Sequence, residues 1–154
     1  MKNITLVRTD EGSFDYNRNA DFQSIKDKKL QLMLHVEMGF PDDMDIVTMV
    51  VYTRYMLDKE QLLNYKVSLS FKVEQWSDYV GEMNDDSIRS LEEVHRMLGI
   101  AVGFLRGSLS LQERTTPLKG AFLPLVNIEG LSKKINIIRL KRDEEQKESN
   151  SLKP

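Results

Sequence analysis

Tyr65-Lys66-Val67-Ser68-Leu69-Ser70-Phe71-Lys72-Val73 is the stretch on which the fold turns. Apolar side chains stand at every second position, with Lys or Ser between them. A period of two is that of an extended strand with one buried face and one wet face. Upstream, Asp45 to Leu57 alternates too, with Val47, Met49, Val51, Tyr55 and Leu57 on one parity and Ile46, Val50, Tyr52 and Met56 on the other. A strand apolar on both faces is central in its sheet or covered on both sides. Further upstream, Leu30, Leu32, Leu34, Val36 and Met38 alternate with Gln31, Met33, His35 and Glu37. Gly39-Phe40-Pro41-Asp42-Asp43 carries turn chemistry between the Leu30–Met38 and Asp45–Leu57 runs, and Asp58 to Asn64 joins the latter to the Tyr65–Val73 run. Neither connection is long enough for a parallel return, so the three strands are expected to be antiparallel neighbours. Ile4-Thr5-Leu6-Val7 is a shorter strand candidate at the N-terminus.

Downstream the period changes. After Asn84-Asp85-Asp86-Ser87, a cluster suited to capping, Ile88, Leu91, Val94, Leu98, Ala101, Leu105 and Leu109 recur at helical spacing until Pro117. The spacing predicts one long helix from Ser87 to about Arg114, ~40 Å at 1.5 Å per residue. Between Met97 and Leu105 it is apolar nearly all round, so it needs cover on more than one side. One small sheet covers one face, and a second copy of the chain is the simplest cover for the other. Gly99, Gly103 and Gly107 stand four apart on one face, and each costs ~1 kcal/mol against Ala in a helix interior. Close approach of another backbone, or tight packing on the chain's own sheet, would offset that cost. Phe104 lies among these glycines and joins them as the expected oligomer interface.

Ala121 to Ile128 follows as an extended apolar segment in which Pro124 forbids a central strand, with a turn near Gly130. Ser132 to Leu140 fits a short helix or a strand. The expectation is an α+β fold, with an antiparallel meander of about four strands packed against one long helix in the C-terminal half. One domain spans residues 1–140, and the charged tail 141–154 is expected to be disordered.

Composition narrows the chemistry. The chain has 154 residues, with 22 basic and 24 acidic side chains, 40% apolar residues and no cysteine. That is one domain with a sizeable core. The near-neutral balance argues against nucleic acid as a partner. The absence of thiols removes disulfides and thiolate metal sites and fits a reducing compartment. No targeting segment or membrane span is legible, so a cytoplasmic protein without membrane insertion is expected. Two histidines, His35 and His95, lack metal-ligand spacing, and no phosphate loop or nucleophile elbow is present. No catalytic residues, metal or cofactor are expected, and the chain is not read as an enzyme. Eight methionines suit either core filling or an adaptable apolar surface.

The order of elements resembles the SecB-like family of preprotein-export chaperones and their relatives. The likeness runs from about Ile4 to Leu131. It is carried by the alternating run Leu30-Gln31-Leu32-Met33-Leu34, by Val73-Glu74-Gln75 at the end of the third run, and by Phe122-Leu123-Pro124-Leu125-Val126-Asn127-Ile128-Glu129-Gly130-Leu131. The resemblance implies a cofactor-free, ATP-independent holdase for extended apolar segments of non-native polypeptides, assembled as a tetramer, a dimer of dimers. Carried over by pattern, Leu30, Leu32, Leu34, Leu69, Phe71 and Val73 would line the polypeptide groove. Relatives that protect antitoxins imply the alternative, a module dedicated to one specific protein partner.

Overall fold

The computed structural model describes residues 2–19, 30–114, 116 and 125–140. The elements run β1 (Ile4–Tyr16), β2 (Leu30–Pro41), β3 (Ile46–Leu57), β4 (Glu60–Val73), α1 (Trp76–Val80), α2 (Asp85–Arg89), α3 (Glu92–Glu113), α4 (Ile128–Ser132) and β5 (Asn136–Leu140). The strands form one sheet in the order β1-β4-β3-β2-β5. The three alternating runs are the antiparallel centre of it. Val47, Met49, Val51 and Tyr55 of β3 and Tyr65, Val67, Leu69, Phe71 and Val73 of β4 turn to one face and are buried. The buried side of α3, with Val94, Met97, Leu98, Ala101, Val102, Leu105 and Leu109, joins them in one core.

The sheet is mixed, which corrects the expectation of a purely antiparallel meander. β5 pairs parallel to β2, from Glu37 with Asn136 to Pro41 with Leu140. The stretch between β4 and β5, which includes α1 to α4, supplies the long connection that a parallel return needs. Ser132 to Leu140 therefore divides: Ser132 closes α4 and Asn136–Leu140 is the strand. The turn expected near Gly130 is the body of α4. The Asn127 side chain caps that helix by accepting the Gly130 N–H at 3.3 Å.

β1 is longer than its sequence signal and lies at the far edge, antiparallel to β4. Two register shifts interrupt it, between Leu6 and Arg8 and between Glu11 and Phe14. Those bulges, together with the exposed charges of Arg8, Asp10 and Glu11, blunt this edge against pairing with another strand. Gly12 is required in the ladder, because an added Cβ would stand 2.8 Å from the Lys66 carbonyl oxygen.

The expected loop from Asp58 to Asn64 is a two-residue turn. Leu57 pairs with Glu60 directly, and Asp58 takes a φ of 54°, a left-handed conformation that Asp tolerates. The expected single helix from Ser87 to Arg114 is broken at Ser90-Leu91 into α2 and α3. The Ser90 hydroxyl donates to the Ser87 carbonyl at 2.9 Å, competing with the helical ladder, and Leu91 is extended with a ψ of 139°. Ile88 and Val94 stay buried on either side of the break, so the apolar period passes through it. At the other end of the sheet, the Ser77 amide and hydroxyl both donate to one Asp45 oxygen at 3.1 Å, which ties α1 to the start of β3. Of the expected segment Ala121 to Ile128, residues 121–124 lie outside the described residues, as do Pro117 and the tail 141–154.

Candidate functional site

β2 has two neighbours for only part of its length. β3 runs beside it from Leu30 to Gly39, whereas β5 begins at Glu37. Among the described residues, Leu30 to Val36 has no strand on that outer side. An edge of this kind is where an extended chain can pair, although the Met33 carbonyl already accepts from the Thr53 hydroxyl at 3.1 Å.

The same stretch carries apolar side chains toward the core face. Leu30, Leu32 and Leu34 are half-buried and pack at the margin of the core. Leu32 and Leu34 form one wall of an open trough of about 460 Å³, whose other wall is Leu125, Val126, Asn127, Gly130, Leu131 and Lys134. Leu125 is 93% exposed. An apolar side chain so open on the rim of an apolar trough adds to the surface a partner can bury. Among the described residues, Lys134 supplies the one charge in the lining.

The six groove positions implied by the resemblance thus separate. Leu30, Leu32 and Leu34 lie together along the open edge. Leu69, Phe71 and Val73 are 0% exposed in the core that β4 shares with α3, and offer nothing to a partner in this fold. Alternation alone does not distinguish a face covered by the chain's own helix from one covered by a client. Leu125, Val126 and Leu131 were missed as site residues, although their signal, an apolar segment following Pro124, is plain in the sequence.

The glycine face of α3 is open. A Cβ added at Gly99, Gly103 or Gly107 would meet nothing within 4 Å among the described residues, so the glycines do not serve packing on the chain's own sheet. Ile100, 44% exposed, and Leu111, 60% exposed, lie on the same side, and Phe104 is half-buried.

A second, polar pocket of about 430 Å³ lies where α2, the start of α3 and α4 meet, lined by Asp86, Arg89, Ser90, His95, Glu129, Ser132 and Lys133. Its geometry is that of a clasp. Arg89 Nε donates to the Ile135 carbonyl at 2.8 Å, and its Nη1 pairs with Asp86 at 2.9 Å. His95 Nε2 lies 3.0 Å from the Arg89 carbonyl oxygen and 3.1 Å from Ser132 Oγ. A carbonyl oxygen only accepts, so the hydrogen-bond pattern assigns the proton to Nε2. The Ser132 hydroxyl donates instead to the Glu129 carbonyl at 2.8 Å. In this arrangement the imidazole nitrogen beside Ser132 has no lone pair with which to take its proton, so the pair holds α4 rather than arming a nucleophile. His35 packs against Tyr52 across β2 and β3 on the outer face, ring centroids 4.6 Å apart and planes tilted by 37°. Among the described residues no three His, Cys, Asp or Glu side chains gather as metal ligands would, and no helix is long and apolar enough to cross a membrane.

No family model and no curated protein matches the sequence. Among solved structures, a protein of unknown function from Streptococcus agalactiae aligns over 82% of this chain and 99% of its own, with a TM-score of 0.41 and 5% identity. A SecB-like chaperone of Mycobacterium tuberculosis, solved with a ChAD peptide of the HigA1 antitoxin, aligns over 82% of this chain and 83% of its own, with a TM-score of 0.35 and 14% identity. At these values neither neighbour assigns a family or an activity to this chain.

Proposed function

We propose that this protein is a SecB-like holdase that binds extended apolar segments of non-native polypeptides at the open edge of β2, without ATP or a cofactor. The observation that carries this reading is the coincidence of an outer side of Leu30–Val36 that has no strand beside it among the described residues with the apolar trough between Leu32, Leu34 and the Leu125–Leu131 segment. A client strand lying beside β2 would satisfy its backbone there, while alternate side chains enter the trough. Two or three apolar side chains at ~1.5–3 kcal/mol each give at most about 9 kcal/mol, and after the ordering of the client a Kd of about 10 µM or weaker per chain.

Holding of that strength needs several sites on one client, because linked sites raise avidity by ~10²–10⁴ without new contacts. The open glycine face supports such an assembly. Gly99, Gly103, Phe104 and Gly107, flanked by Ile100 and Leu111, form the surface on which a second copy packs, and a dimer of dimers is the assembly proposed. A dedicated module for one specific protein, for example an antitoxin-type partner, is the second reading, favoured by the shortness of the free edge.

Fluorescence anisotropy with labelled peptides of alternating apolar sequence tests the proposal. Unrelated peptides of that pattern should bind, and N-methylation of alternate backbone nitrogens on the pairing side should abolish binding. Binding of one partner sequence only would establish the dedicated module. Undiminished binding of the N-methylated peptides would overturn strand addition.

A further inference from the structure

Glu113, at the last position of α3, is 3% exposed, and its Oε1 has no hydrogen-bond partner. The carboxyl accepts from the hydroxyl of Tyr55 on β3, itself fully buried. Burial is the dominant influence on it, and no cation acts on it among the described residues. Tyr65 of β4 is buried in the same core, and the groups that act on it are Ser108 of α3 and Glu11 of β1. An ionised carboxylate does not persist in such a setting without a counter-charge, whereas a neutral carboxylic acid does. The backbone of the same residue closes the helix: the amide and the hydroxyl of Thr116 both donate to the Glu113 carbonyl at 2.9 Å.

We propose that Glu113 is folded in as a neutral carboxylic acid and acts as a pH-sensitive latch that holds the last turn of α3 on β3. Burial pushes its pKa up from the ordinary carboxylate value to about 7. The Tyr55 hydroxyl acts in the opposite sense, since its hydrogen bond stabilises the ionised form. The sign of the linkage follows. The folded state holds the proton more tightly than the unfolded one, so the latch is fully closed below the unfolded pKa and is lost as pH rises through about 7. Above that, the carboxylate must find water, and the last turn of α3 opens locally.

Thermal unfolding of the full chain between pH 5 and pH 8.5 tests this with Glu113→Gln and Tyr55→Phe. The amide keeps an acceptor for Tyr55 but cannot ionise. The native chain should lose about 5–10 °C of Tm relative to Glu113→Gln across that range, with the loss centred between the ordinary carboxylate value and about 7. Tyr55→Phe should move that centre upward, an effect that lost packing alone would not produce. Parallel Tm curves for the native chain and Glu113→Gln, or an unmoved or lowered centre in Tyr55→Phe, would overturn the latch. Side-chain ¹³C NMR of the native protein reads the protonation state directly, without a variant. A Glu113 carboxyl still protonated at pH 5.5 supports the latch, and an ionised one at that pH contradicts it.

Discussion

Glu37 of β2 pairs with Val50 of β3 on one side and with Asn136, the first residue of β5, on the other, and it is the point at which β2 acquires a second neighbour. From Glu37 to Gly39 the strand has both neighbours; from Leu30 to Val36 it is an edge among the described residues. The β5 line ends where the trough begins, so an added segment would continue the same row of pairing. The other edge of the sheet, β1, is interrupted by bulges and charged, and the two edges are therefore unlike in what they can accept.

Leu125→Asp should remove peptide binding and leave stability unchanged within ~0.5 kcal/mol, because a side chain 93% exposed contributes little to the fold. Anisotropy and urea unfolding on the same sample check both halves.

Phe71 belongs to the core, and Phe71→Ala should cost ~3–5 kcal/mol, measured by denaturant unfolding. Phe71→Asp should not fold, since a buried unpaired charge is intolerable. A folded Phe71→Asp variant that lost only peptide binding would return this position to the groove.

Gly103→Ala separates helix propensity from assembly. Its Cβ meets nothing within 4 Å among the described residues, so the α3 helix should gain ~1 kcal/mol in a dissociated state. If the glycine face is the interface, sedimentation equilibrium should report weaker association for Gly103→Leu, where overpacking costs ~1–3 kcal/mol. Unchanged association of Gly103→Leu would remove this face from assembly.

Asp45 contributes to the acid limb of stability. Its hydrogen bonds from Ser77 hold its carboxyl below the usual carboxylate value. The folded state therefore releases the proton more readily than the unfolded one, and this contribution is present above the unfolded pKa and lost as pH falls through the folded value. Asp45→Ala should cost about 1 kcal/mol at neutral pH and much less at pH 2, measured by chemical unfolding at the two pH values.

The central strands were legible because Tyr65–Val73 alternates with a single buried parity, and short turns leave antiparallel pairing as the only choice. The parallel β5 was not legible. Asn136–Leu140 is too short to favour strand over helix, and its partner is chosen by a connection that wraps the covered face of the sheet. The break before α3 was hidden because Ile88, Leu91 and Val94 keep the helical period while Ser90 departs from it through a side-chain bond. Leu69, Phe71 and Val73 read as well for a groove as for a core, because an alternating strand records that one face is covered and not by what. The openness of the glycine face needed the structure, since three glycines four apart suit a close neighbour on either side of a helix. Glu113 carries no sequence signal at all: a Glu near a helix end reads as solvated until its burial is seen.

Amide hydrogen exchange of Leu30 to Val36, with and without a saturating extended apolar peptide, tests the central claim most directly. Strand addition predicts that alternate amides of this stretch slow at least tenfold on binding, while β1 amides are unaffected. A peptide that binds and leaves every amide from Leu30 to Val36 at its free rate would contradict the account.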